Sequence, residues 1–140
     1  MKKELIIVII IVVAIIILDT ITHNYTKINF AKINEQLKQI KEMSENIDKI
    51  EKEQGVTESI SKEELQEKIR TMEKDWKTIN NKTAFYIEHE ELEKVNASMT
   101  KFKSYIHLEE YTEAIPELEN CKYILDHIRD KEAMQIINLF

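Results

Sequence analysis

Residues Phe85–Val95 read FYIEHEELEKV, which sets His89 among Glu88, Glu90 and Glu91 and places Glu93 four residues further on. An imidazole and a carboxylate four apart share one face of a helix. Joined by His127 from another helix, they could ligate a metal inside a helical bundle. The pattern is incomplete for that purpose. It has no second histidine of an HExxH motif, no Glu-x-x-His pair and no cysteine partner. A metal-dependent enzyme using His89 and His127 is therefore the minor reading, and no metal ligand is assigned. Glu90 and Glu91 could do general acid–base work only if a cleft raised one pKa. With 26 acidic residues in the chain, adjacent glutamates are expected, and they suit a helix N-terminus.

No other group carries a reaction. Ser98 and Ser104 have no glycine elbow to present them. Cys121 is the single cysteine; its spacing from Leu118 and Leu125 puts it on an apolar helix face, as a buried thiol. Trp76, Phe85, Tyr86 and Phe102 read as core rather than as a ligand box. One glycine in 140 residues leaves no loop to cradle a phosphate. A net charge of −6, with lysines alternating among glutamates, repels nucleic acid. No catalytic residue and no cofactor is assigned, and the chain is expected not to be an enzyme.

The elements that would position these residues begin with an apolar run. Leu5–Leu18 are fourteen uninterrupted apolar residues behind Lys2 and Lys3. As a helix they rise about 21 Å at 1.5 Å per residue, short of a hydrocarbon core of ~30 Å. Snorkelling by Lys3 and extension through Thr20–Thr22 lengthen the span to residues 3–22. After Leu18 no pair of small residues stands at cleavage-site spacing, so an uncleaved signal-anchor is expected rather than a cleaved signal. The lysines ahead of the run put the N-terminus in the cytoplasm and the remainder outside.

Four stripes then step by three and four, the period of amphipathic helices. The first is Phe30, Ile33, Leu37, Ile40, Met43, Ile47 and Ile50, joined to the span without a breaker and ending near Gly55. The second is Leu65, Ile69, Met72, Trp76, Ile79, Thr83 and Tyr86, opened by a Ser61–Glu64 capping box with Ile60 as its staple. The third is Leu92, Val95, Met99, Phe102 and Ile106, and the fourth Tyr111, Ala114, Leu118, Cys121, Leu125 and Ile128. Pro116 is expected in the first turn of the last helix, with Thr112 as N-cap. The second and third stripes are out of phase by about 220° at ~100° per residue, so a break is needed. It falls at Asn80–Asn81 or at Glu88–Glu91; in the latter case His89 ends one helix.

The expected fold is all-α: an N-terminal transmembrane helix followed by an antiparallel bundle of about four amphipathic helices. The segments are an anchor at 1–23, a bundle at 24–130 and a tail at 131–140 that folds back. A coiled-coil stalk carrying a small hairpin is the alternative.

The MKK start with its apolar run, DW at Asp75–Trp76, YIEHEELEKV, SYI at Ser104–Ile106, ILDHI at Ile124–Ile128 and the closing NLF resemble the small bacterial proteins of family DUF4363. The resemblance covers nearly the whole chain. It implies one membrane segment and a helical remainder, and it implies no activity. The partners expected are the bilayer, through residues 5–18, and a protein or a second copy. The expected role is that of a single-pass interaction or structural module on the extracytoplasmic side. The alternative is a small-ligand sensor working through a membrane partner.

Overall fold

In the computed structural model, which describes residues 1–54 and 59–137, four α-helices follow one another: α1 (Lys2–Gln54), α2 (Ser59–Thr83), α3 (His89–His107) and α4 (Tyr111–Ile137). Gly55, the Ile60 side chain and Asn138–Phe140 lie outside the described residues.

The apolar run and the first bundle helix are one helix, as the absence of a breaker predicts. Its first part touches nothing: Leu5–Leu18 are exposed throughout. Burial starts at Thr26 and Phe30. From there the four stripes converge on one core, in which Ile33, Leu37 and Ile40 of α1 are fully buried with Met72, Leu92, Phe102, Leu118 and Leu125. Each such side chain contributes about 1.5–3 kcal/mol relative to an exposed one. Phe30 and Trp76 meet edge to face at 5.8 Å between ring centroids. Two positions of the α1 stripe, Met43 and Ile50, are only partly covered, and Ser44 takes a place in the core. Its hydroxyl donates to the Ile40 carbonyl at 2.8 Å, so the buried oxygen is satisfied.

Polar pairs give the directions. Asn34 meets Asp126 (2.7 Å), Lys41 meets Glu119 (2.7 Å) and Thr112 meets Asp48 (3.3 Å), so α1 and α4 run antiparallel. Gln36 donates to Asp75 at 2.8 Å and Lys68 to Gln39 at 2.7 Å, so α1 and α2 do as well. The tight pairs are α1–α2, α1–α4 and α3–α4. The α2–α3 seam is bridged by longer groups, Trp76 Nε1 to Asn96 at 2.7 Å and Lys103 to Glu73. Because α1 packs from Thr26 onward between α2 and α4, the architecture is a bundle rather than a stalk with a hairpin.

Three local expectations are corrected. Helix α2 is already helical at Ser59, so Ser61 lies inside its first turn instead of capping it. Helix α4 starts at Tyr111 and holds Pro116 in its second turn; the carbonyl ahead of the helix that accepts from Glu113 (3.2 Å) and Ala114 (3.0 Å) belongs to Glu110, and Thr112 faces Asp48 and Lys52. Residues 131–137 continue α4 rather than forming a separate tail.

Candidate functional site

The corner between α2 and α3 holds the residues with chemical potential and is built from the end of α2. Thr83 is fully buried, and its hydroxyl donates back to the Ile79 carbonyl at 3.0 Å. Its own carbonyl accepts from Tyr86 N–H at 3.0 Å and Ile87 N–H at 2.8 Å, which closes the turn. Ile87 then plugs the core at 4% exposure, and the Tyr86 hydroxyl hydrogen-bonds that of Thr26 at 2.9 Å. Burial raises the Tyr86 pKa. The corner is thereby pinned to α1 at the level where α1 enters the bundle.

The break lies past Asn80–Asn81 and reaches the Glu88–Glu91 alternative only at its first residue. Asn80 and Asn81 are helical, and the chain leaves helix only from Ala84 to Glu88. Glu88 precedes α3 with φ −55° and ψ 132°, and its carbonyl takes the Glu91 and Leu92 N–H groups at 3.0 and 3.3 Å. His89 therefore opens α3 instead of ending α2, while Glu90 and Glu91 occupy its first turn as expected. The phase slip is absorbed by five residues, Ala84 to Glu88, the last of which opens the charge cluster.

Each charged group of the cluster has a plain partner. His89 Nε2 stands 3.5 Å from Glu93, with both side chains mostly exposed. Glu90 pairs with Lys94 at 3.3 Å. Lys131 reaches Glu91 at 3.3 Å and Glu88 at 3.4 Å, contacts that raise its pKa, the Glu91 bond most. His127 stacks on Tyr123 at 6.3 Å on an exposed face of α4. Among the described residues no three or more His, Cys, Asp and Glu side chains are grouped to hold a metal. The Glu132 carboxyl beside this corner is shifted upward, first by burial and further by Asp19 and Glu88, against Lys131.

The remaining nucleophile candidates are occupied. Cys121 is fully buried, and burial pushes its thiol up to about 12, which leaves almost no thiolate at neutral pH. Ser98 donates to the Glu117 carbonyl at 3.2 Å and accepts from Asn120 at 3.3 Å. Ser104 bonds back to Thr100 at 2.9 Å. A surface recess of about 800 Å³ at the opposite end of the bundle is lined by Lys62, Glu67, Arg70, His107 and Glu109. Lys62 is bound there to Glu51 at 2.8 Å and to Glu109 at 2.9 Å.

Phe85 departs from its expected place. Trp76 and Phe102 are core and Tyr86 is half-buried, but Phe85 is 91% exposed. The signal was present in the spacing: Ile79, Thr83 and Tyr86 hold one face, and position 85 lies about 100° off it. The tie between Thr26 and Tyr86, sixty residues apart, carries no such signal.

The family described as domain of unknown function DUF4363 matches residues 20–139. The chain belongs to that family. The match spans the bundle and begins at Thr20, just past the apolar run, so the resemblance of the MKK segment falls outside it. No curated protein and no solved structure matches the chain.

Proposed function

We propose that this member of DUF4363 is a single-pass membrane protein whose helical bundle acts by protein–protein contact on the extracytoplasmic side, without catalysis. The observation that supports the anchor is the state of Leu5–Leu18. These apolar residues are wholly uncovered, on a helix that continues unbroken into the bundle. A soluble core helix would bury such a run, and water is a poor solvent for it. The polar groups at its far end turn inward: Thr20 bonds to the Ile16 carbonyl at 2.8 Å and Thr22 to that of Asp19 at 3.0 Å. Such internal bonding is what a hydrocarbon environment requires. Lys2 and Lys3 ahead of the run favour the cytoplasm for the N-terminus.

The bundle supplies surface rather than a reaction centre. Its candidate nucleophiles are buried or hydrogen-bonded to backbone, and Glu88, Glu90 and Glu91 at the corner are paired with lysines. Intact cells treated with protease test the topology: the bundle should be digested while a cytoplasmic control survives. A bundle that survives until the cells are lysed defeats the extracytoplasmic reading. Crosslinking in cells should trap the full chain with a membrane protein or with itself, and a chain that stays monomeric and alone defeats the interaction reading.

A further inference from the structure

Phe85 is an apolar ring at the tip of a chain reversal, at the end of the bundle from which the apolar run leaves. We propose that the Lys82–Phe85 corner is a second, peripheral contact with lipid, with Phe85 seated in the interfacial layer of the same bilayer that holds α1. This rests on the reading of residues 5–18 as a membrane span.

Axial distance carries the argument. The bond between Tyr86 and Thr26 (2.9 Å) fixes the corner at the level of Thr26. Thr26 lies four residues past Thr22, about 6 Å along the helix. The headgroup layer on each side of the hydrocarbon is about 5–7 Å thick. The corner thus meets the bilayer surface at the height where aromatic rings and lysines concentrate in membrane proteins.

The surroundings agree. Ile21, Tyr25 and Ile28 step by four and three along α1; Ile21 and Ile28 are exposed, and Lys82 Nζ sits 5.4 Å from the Tyr25 ring centroid. These residues continue the apolar run up the side of α1 that meets the end of α2. Glu88 and Glu90, which anionic lipid would repel, are engaged by Lys131 and Lys94. Lys82 and the exposed Lys27 remain to attract headgroups.

Cys121 is buried, so an introduced cysteine is the accessible thiol for a spin label. The full chain is reconstituted in phosphatidylglycerol-containing vesicles with a label at Ala84→Cys, which leaves Phe85 in place. Ile11→Cys within the run and Leu108→Cys at the far end of the bundle serve as depth references. Accessibility to oxygen and to a water-soluble nickel complex reads the depth. The label at 84 should lie between the references, and adding Phe85→Asp should move it toward water by about 5 Å, the thickness of the layer. A label at 84 as aqueous as that at 108, with 11 in lipid, overturns the contact and leaves the anchor intact. An aqueous label at 11 overturns the anchor reading and the contact with it. A label at 84 shielded from both reagents shows a protein over the corner and overturns the lipid assignment. A depth unchanged by Phe85→Asp also overturns it, because the corner then follows α1 alone.

Discussion

The two ends of the bundle are closed by different chemistry. At the end where α1 enters, the turn from Thr83 to His89 is tied to α1 by one neutral hydrogen bond, Thr26 to Tyr86, and to the core by the buried Ile87, while Lys131 of α4 reaches Glu88 at its rim. At the other end, Lys62 draws Glu51 and Glu109 together across three segments. The turn there ends α3 with hydrogen bonds from Glu109 N–H to Ile106 and from Glu110 N–H to Tyr105, at 3.1 and 2.9 Å. This is a Schellman arrangement with Glu109 at φ 61° in the place usually given to glycine. The first end is tied to α1 by a neutral bond and an apolar plug, with its ion pairs on α3 and α4; the second is tied to α1 by an ionic bridge.

The largest effect that sharpens this contrast is at the apolar run. Ile10→Asp with Val13→Asp should release the chain from the membrane fraction on cell fractionation, since each charge costs about 2.5–3.5 kcal/mol at mid-span. Leu108→Asp, exposed at the ionic end, should leave partitioning unchanged. Next is the plug: Ile87→Ala should lower stability by about 2–5 kcal/mol in denaturant titration followed by circular dichroism.

Smaller effects separate the closures. Tyr86→Phe should cost about 1 kcal/mol, equally at low and high salt, because it removes a neutral bond. Glu109→Gly should gain up to about 1 kcal/mol, since relief of the left-handed conformation outweighs an exposed ion pair. Part of the stability from Lys62 should vanish in 1 M salt, which screens exposed charges beyond about 3 Å.

The smallest effects are in pH. Glu132 and Lys62 both have folded pKa values above their ordinary 4.5 and 10.5. The folded state therefore holds each proton more firmly than the unfolded chain. Each contribution is present below the ordinary value and is lost as pH rises through the folded one. Stability should accordingly fall in two windows, one above pH 4.5 that Glu132→Gln abolishes and one above pH 10.5 that Lys62→Met abolishes. A Glu132→Gln chain no more stable than wild type at pH 7 would show that the carboxyl carries no strain.

The interior was legible because burial follows the period of the helix. Nearly every residue of the four stripes lies in the core, and Cys121 is among them. The corner was legible only as a necessity. The phase slip demands a break, yet Asn80–Asn81 stay helical because Thr83 caps α2 with its own hydroxyl and Ile87 must reach the core. Charge drew attention to Glu88–Glu91, of which only Glu88 lies in the reversal; its other residues, Ala84–Ile87, carry no charge. Pro116 sits a turn deeper than expected because α4 begins at Tyr111, whose ring is needed in the core. Contacts across long separations, such as Lys62 with Glu51 and Glu109, follow from how the helices align and leave no mark in local spacing.

The unbroken course of α1 makes the protein a lever. From Thr22 to Gln54 the helix extends about 48 Å at 1.5 Å per residue. With the run set in a bilayer at a tilt of about 20°, usual for such helices, the far end is carried roughly 16 Å sideways. A hinge at the membrane would have hidden that motion from the bundle. On the proposed anchoring, a few degrees of rocking at the fulcrum would become a sweep of several ångströms at Lys62, and a twist within the lipid would turn every helix packed on the shaft by the same angle.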